Sequence, residues 1–382
     1  MARIVVQNGN IAWDGKPGRG GHVMFVLHWL EGLRRLGHDV LYCERMTGNP
    51  ESTARFAEVM QRWWSPSLAA GLRDDGRSVW GLGKEEVMHF ASRADALLTL
   101  GAPYTAEPPL WLADVRPRVL VEQDPGFSHL WAEDDPARLF GNQDFYFTVG
   151  GNIGLPNCAI PTLGIEWRHT WNPVVLDWWH PTRSASGAFS SVGDLWGQGY
   201  QIFDGRVYGP KAVELERFLT LPVDTGLEFR LAIADPEKDP IANELKANGW
   251  NLDAASVVTS DEFAYRHYVQ SSLAEFSVAK GLYAGGSTGW FSDRSACYLA
   301  AAKPVVVQST GCQRLLPSGE GLFQVATLEE AVSAAEDVVR NYEQHSAAAR
   351  ALAERHFSSD VVIRKLLGSI GLPDERVLTS AS

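Results

Sequence analysis

Between Ser271 and Gly311 the chain reads SSLAEFSVAKGLYAGGSTGWFSDRSACYLAAAKPVVVQSTG. Gly285, Gly286, Ser287, Thr288 and Gly289 form a run of small residues with nothing bulky to cover their backbone N–H groups. Ser292 is a good N-cap for the apolar-faced helix that follows, and Asp293 falls in its first turn. Loop N–H donors at a helix N-terminus, reinforced by the helix dipole, suit a phosphate. Arg294 stands in that same first turn, where a cation is unfavourable to the dipole unless an anion accompanies it. Arg294 is therefore expected on a bound diphosphate, with Lys280 as a second cation, although a solvated helix end also explains a lysine there. Ser287, Thr288, Ser292 and Asp293 have a capping explanation that can coexist with binding. The GxxxxGK[ST] pattern is absent, which sets aside a Walker-type ATPase.

Other residues are placed by the ends of strands. Thr310 and Gly311 follow the buried run Val305-Val306-Val307 at its carboxyl end, a good place for a sugar contact. Trp290 lies inside the glycine loop and offers a flat face to a sugar ring, whereas most of the other tryptophans are better read as core. Gly193 follows the strand-like run Phe189–Val192, where a backbone N–H could meet phosphate; an ordinary turn glycine is the even alternative. Asp124 follows the strand Val119–Glu122 in an Asp-Pro-Gly turn, and Gly20-Gly21 precede His22 at the start of a helix.

Strand and helix signals alternate around these positions. Arg3–Gln7 is a short apolar strand, His22–Leu36 has helical apolar spacing and stops at Gly37, and Asp39–Cys43 is the next strand. Further strand signals fall at Ala94–Leu100, Pro117–Glu122 and Phe145–Val149. A Pro-, Gly- and Ser-rich stretch, Asn172–Gly187, reads as an interdomain connection. A second series then begins: strands at Phe189–Gly193, Phe229–Ala234, Ser256–Val258 and Leu322–Val325, with helices between and two long helices after. The expected architecture is α/β, two Rossmann-like domains facing across a cleft: 1–172, 188–357, and a segment 358–382 packing back.

Bulk properties narrow the classes. A chain of 382 residues can bury two cores, and 45% hydrophobic with 21% charged residues is ordinary for a globular protein. A net charge of −12 argues against a nucleic-acid backbone or an anionic membrane as partner. Cys43, Cys158, Cys297 and Cys312 are scattered without metal or CxxC spacing, which reads as reduced thiols. With no signal-peptide pattern and no membrane-length apolar run, the expected location is the cytoplasm.

Three anchors carry a family resemblance. Gly21-His22 open the first helix and Gly37-His38-Asp39-Val40 close it; Leu299–Gly311 runs LAAAKPVVVQSTG; Gly319–Ala331 runs GEGLFQVATLEEA. The chain resembles the GT-B class of nucleotide-sugar glycosyltransferases, in a divergent bacterial branch of the natural-product type. The resemblance implies transfer of a sugar from a UDP- or dTDP-type nucleotide sugar to a small-molecule acceptor, with no further cofactor and no metal. It implies an inverting mechanism with His22 as general base, oriented by a nearby carboxylate for which Asp124 is the candidate. It further implies an acceptor region around Gly20 and Gly21, and a donor site of Gly193, Lys280, Ser287, Thr288, Trp290, Ser292, Asp293, Arg294, Thr310 and Gly311. One departure stands out: the acidic residue such enzymes carry seven positions before the proline is Cys297 here, and Asp293, one turn earlier, is the substitute for a ribose contact. A nucleotide-sugar epimerase of the same fold, or a non-catalytic GT-B partner subunit, are the alternatives. No GxGxxG follows the first strand, which disfavours a nicotinamide dehydrogenase.

Overall fold

The computed structural model describes residues 1–12, 19–101, 109–182 and 187–372. Parts of the glycine-rich loop after the first strand (13–18), of the connecting stretch (183–186) and of the C-terminal segment (373–382) lie outside the described residues.

The first half carries β1 (Arg3–Asn8), β2 (Asp39–Arg45), β3 (Ala69–Leu72), β4 (Ser78–Gly81), β5 (Ala96–Leu100), β6 (Arg118–Glu122), β7 (Phe145–Thr148) and β8 (Trp167–His169). They pair in the order β4-β3-β2-β1-β5-β6-β7-β8, parallel throughout except for β3 with β4. The second half carries β9 (Phe189–Val192), β10 (Gln201–Phe203), β11 (Arg206–Tyr208), β12 (Phe229–Ile233), β13 (Trp250–Ala254), β14 (Ala274–Ser277), β15 (Val305–Gln308) and β16 (Leu322–Val325). Its sheet runs β13-β12-β9-β14-β15-β16, all parallel, while β10 and β11 form a separate hairpin. Sheets of this kind are buried on both faces, so their strands read as continuous apolar runs: Ile4, Val5 and Val6, like Val305 and Val306, are fully buried. Strand order reverses between β1 and β5 and again between β9 and β14, and ligand crevices open outside the carboxyl ends at such points.

Local signals explain the helices. Asn49 caps Pro50–Trp63 through its side chain, with Pro50 at the first helical position; Ser292 caps Asp293–Ala300; Thr327 caps Leu328–Arg340. Gly37 takes a positive φ of 85° just beyond helix Gly20–Arg35, as a helix stop requires. One strand reading needs correction. Ser256-Val257-Val258 is part of a short helix, Ala255–Val258, and the strand is the preceding Trp250–Ala254, held by parallel pairing from Phe229↔Trp250 to Ile233↔Ala254. The β-branched pair was misleading because Val257 is 68% exposed.

The connecting stretch is packed over residues 172–179. Val174 and Trp179 are buried in the same core as helix Gly20–Arg35, Val175 is buried beside them in sequence, and Val174 pairs with the Phe357–Ser359 backbone. His28 accepts from the Val175 N–H at 3.0 Å and faces the Trp179 indole N–H at 3.1 Å; burial pushes its pKa down to about 3. Helix Ser359–Ser369 lies on helix Gly20–Arg35 of the first half, so closely that a Cβ at Gly32 would stand 2.5 Å from Ile363 Cδ1. No helix among the described residues is long and apolar enough to cross a membrane.

Candidate active site

The carboxyl ends of β9 and β14 bring cations together. Lys211 begins helix Lys211–Glu216, and its ammonium would lie 3.5 Å from a Cβ at Gly193, the residue after β9. It is 9% exposed, and burial together with the charges of Arg294 and Lys280 lowers its pKa to about 7, against the opposing pull of Glu275 and Asp194. Lys280 follows β14; burial lowers its pKa while Asp124 and Asp194 oppose. Arg294 donates to Glu275 Oε1 at 2.7 Å and to the Val192 carbonyl at 2.7 Å. Lys211 and Asp194 were missed in the sequence because the segment 194–210, with its hairpin, separates the start of the helix expected near Gly209–Leu219 from the end of β9.

The glycine loop does a different job from the one expected. The N–H groups of Gly286, Ser287, Thr288 and Gly289 donate to the carbonyls of Leu282, Ala284, Tyr283 and Thr310, and that of Trp290 to Thr288 Oγ1. None of these remains for a phosphate. The loop's carbonyls reach the first half instead: Ser287 and Gly311 both accept from Asn152 Nδ2, at 3.0 and 2.9 Å, while Thr288 accepts from the Asn152 N–H and Gly289 from that of Gly151. Thr288 and Thr310 are buried, and Thr310 Oγ1 donates to the Trp290 carbonyl. The backbone groups of Ser287, Thr288 and Gly311 therefore join the halves, and Thr310 ties the loop to the end of β15. Gly193 is likewise committed, its N–H donating to the Ala232 carbonyl at 3.0 Å. Trp290 stacks on Tyr283, with centroids 4.5 Å apart.

Gly20 and Gly21 also serve contact between the halves. Gly20 donates to the Thr259 carbonyl at 3.0 Å, a Cβ there would lie 2.0 Å from the Asp261 carbonyl oxygen, and Gly21 faces the Tyr265 ring. Only glycine allows helix Glu262–Ser271 to come so near. On the same side, Glu262, 1% exposed, pairs with Arg55 and accepts from the Trp63 indole.

His22 projects from this junction and is exposed. Surrounding protein nevertheless costs its charged form solvation and lowers its pKa; Asp293 and Asp194 oppose that shift, and Arg19 adds to it. A neutral imidazole beside a carboxylate can accept a proton. The carboxylates acting on it are thus Asp293 and Asp194, whereas Asp124, the expected orienting group, is engaged elsewhere. Its Oδ1 accepts from the Tyr283 hydroxyl at 2.7 Å and Gln198 Nε2 at 3.0 Å, and lies 3.8 Å from Lys280 Nζ. Glu122, fully buried, holds the turn that presents Asp124: it accepts from the Asp124 N–H, Ser128 Oγ and Thr148 Oγ1, and burial raises its pKa to about 7. Of the residues singled out in the sequence, His22, Asp124, Lys280, Asp293 and Arg294 gather at the facing carboxyl ends of the two sheets, and Ser292 caps the helix that carries the last two.

No family model matches the sequence, and no curated protein matches it. Solved structures do. An α-glucosyltransferase in complex with UDP superimposes with a TM-score of 0.60 at 10% identity, covering 97% of this chain and 100% of that one. HepE of Anabaena, in complex with UDP-glucose, gives 0.58 at 11% identity, over 97% and 100% of the two chains. AviGT4, a glycosyltransferase involved in avilamycin A biosynthesis, gives 0.53 at 12% identity, over 100% and 99%. The fold is GT-B. The coverage leaves no half of the GT-B architecture unaccounted for. A further complex of the α-glucosyltransferase holds UDP and a 13-mer DNA.

Proposed function

We propose that this GT-B chain is a glycosyltransferase taking its sugar from a nucleotide diphosphate of the UDP or dTDP type. The observation that carries the reading is the cationic group Lys211, Lys280 and Arg294 at the carboxyl ends of β9 and β14. Two of the three, Lys211 and Lys280, have ammonium groups available to an incoming anion, while Arg294 holds Glu275 in place behind them. In the reaction the anomeric carbon loses its bond to the diphosphate oxygen, which leaves with the electron pair and is held by Lys211 and Lys280. The acceptor hydroxyl oxygen forms the new bond, and its proton passes to His22, which Asp293 and Asp194 stabilise once charged. Cations in that position supply the charge a metal would otherwise bring, and we expect transfer to continue in a chelator.

A single general base suits one displacement with inversion. Retention is the second reading, favoured by the α-linkage in the name of one structural neighbour; the anomeric configuration of the product decides between them. The acceptor we expect is a small molecule, bound by the half spanning 1–172, with the donor on 188–357. A net charge of −12 supports this over a DNA acceptor of the kind one neighbour binds, and a cytoplasmic location follows from the same reading. An epimerase would convert the nucleotide sugar without an acceptor, and a non-catalytic subunit would bind it without turnover. The test is calorimetric titration with UDP and dTDP, followed by turnover with their sugars. Binding of one nucleoside diphosphate, lost in Lys211→Met/Lys280→Met, is expected; a folded wild-type protein that binds neither overturns the proposal.

A further inference from the structure

Lys280 is engaged by a residue from an unusual place. Between β9 and helix Lys211–Glu216 the chain makes an excursion that includes the β10–β11 hairpin. Gln198 takes a positive φ of 67° at its base, Gly199 follows at 57°, and Asp204-Gly205 turn the hairpin with φ of 48° and 70°. Two-residue Asp-Gly turns of this hand match the twist of a hairpin. The excursion is held at its start, where Leu195 is buried and the Trp196 indole donates to Asp239, and less firmly along the hairpin. Tyr200, Ile202 and Val207 are 60%, 76% and 66% exposed, while Tyr208 anchors one end against Gly285. An isolated two-stranded hairpin is marginal by itself, so its remaining ties matter.

The Gln198 amide supplies one of those ties, and it uses both ends. Oε1 accepts from Lys280 Nζ at 2.5 Å, and Nε2 donates to Asp124 Oδ1 at 3.0 Å. Asp124 is simultaneously held by Tyr283 and lies 3.8 Å from the same ammonium. Three bodies therefore meet at one knot: the hairpin, the first half through Asp124, and the second half through Lys280.

We propose that Gln198 is a positioning residue that holds Lys280 and yields it to the donor diphosphate, releasing the hairpin from Lys280 as it does so. The inference rests on the donor reading above. An ammonium bonds a phosphate oxygen more strongly than a neutral amide oxygen, so a diphosphate within reach of Lys280 outcompetes Gln198. With Lys280 turned to phosphate, the amide keeps only its bond to Asp124, and the carboxylate loses its nearest cation. Donor binding then loosens the hairpin, which loses one of its two Gln198 ties, and leaves the Asp124 carboxylate unopposed by Lys280 and better able to draw an acceptor hydroxyl, which sets an order: donor first, acceptor second.

Hydrogen exchange followed by mass spectrometry on the full chain, with and without saturating UDP, reads this directly. Amides of 196–207 should exchange faster with UDP bound, although ligand binding ordinarily slows exchange. Gln198→Ala should show the fast exchange without UDP and should bind UDP about 3–10-fold more tightly, since no charged hydrogen bond has to be given up. Gln198→Glu should hold Lys280 harder and weaken UDP binding. A structural role alone would lower the melting temperature without improving affinity. UDP binding with unchanged or slowed hairpin exchange, together with unaltered affinity in Gln198→Ala, overturns the latch and leaves the donor reading standing. A wild-type chain that binds no nucleoside diphosphate removes the donor reading, and the latch with it.

Discussion

Lys211 offers a sharp test of the donor site, because its charge in the empty site is poised. Burial and two neighbouring cations bring its pKa to about 7, with Glu275 and Asp194 pulling the other way. A diphosphate beside it favours the ammonium and returns the pKa towards the ordinary lysine range. Binding must then take up a proton wherever the empty site has lost one: about half a proton at pH 7 and about nine-tenths at pH 8. Affinity for UDP should fall about fivefold from pH 7 to 8 and close to tenfold from 8 to 9, or about 1.4 kcal/mol over the second interval. The same group acts on folding with the opposite sign. Its folded pKa lies below the unfolded one, so the unfolded chain binds more protons, and its contribution to apo stability rises as pH climbs from about 7 towards 10.5.

Calorimetry at pH 8 in two buffers of different ionisation enthalpy measures the proton count directly. Lys211→Arg should bind UDP with the pH slope abolished, since a guanidinium stays charged throughout. Lys211→Met should lose both slope and affinity. Wild-type binding without proton uptake at pH 8, or uptake that persists in Lys211→Arg, would refute the reasoning and remove Lys211 from the phosphate site.

Arg294→Ala should cost about 3–5 kcal/mol of stability, because it leaves the fully buried Glu275 without its partner; a thermal melt unchanged from wild type would make Arg294 a ligand group after all. His22→Ala should lower turnover by roughly 10²–10⁴-fold with donor affinity little changed. The acid limb of the wild-type rate should lie below the ordinary histidine value, and Asp293→Asn should move it lower still, since that carboxylate raises the His22 pKa; near-normal turnover in His22→Ala would dismiss it as the base. His28, His129 and His169 each have a pKa near 3 through burial, so the folded form resists protons that the unfolded chain takes up below 6.5. Stability should therefore fall as pH drops from 6.5 towards 3, by up to about 1.4 kcal/mol per pH unit for each histidine, and equal denaturant midpoints at pH 7 and 5 would contradict this.

Much of the fold was legible because its signals are local. Periodicity and caps located helices Gly20–Arg35 and Asp293–Ala300 within a few residues, and continuous apolar runs located β1, β6 and β15. Elements whose stability comes from distant partners were not legible. β13 has no β-branched run and forms because β12 pairs with it, and β8 is three residues held against β7. The Asp204-Gly205 turn was a readable hairpin signal that went unused. Lys211 had no such signal, because only the closing of the excursion brings the start of its helix back to the end of β9.

The site shows the same division more sharply, since its residues were often assigned the right physics and the wrong partner. The glycine loop does offer N–H and C=O groups, but their mates are Asn152, Thr310 and the loop's own carbonyls, and the Asn152 contacts cross 135 and 159 residues of chain. Gly20 does permit a close approach, yet what approaches is helix Glu262–Ser271 and its cap. Arg294 in the first turn of a helix does require an anion, and the anion is Glu275, on the neighbouring strand β14. Donors and charges are properties of residue type and are visible in one dimension. Whether they are already satisfied is a property of the fold, and a diphosphate can recruit only those that are free or held by a neutral partner it can displace. That is why the weight of the donor site passes from the loop and Arg294 to Lys211 and Lys280, whose ammonium groups are the ones an incoming anion can still claim.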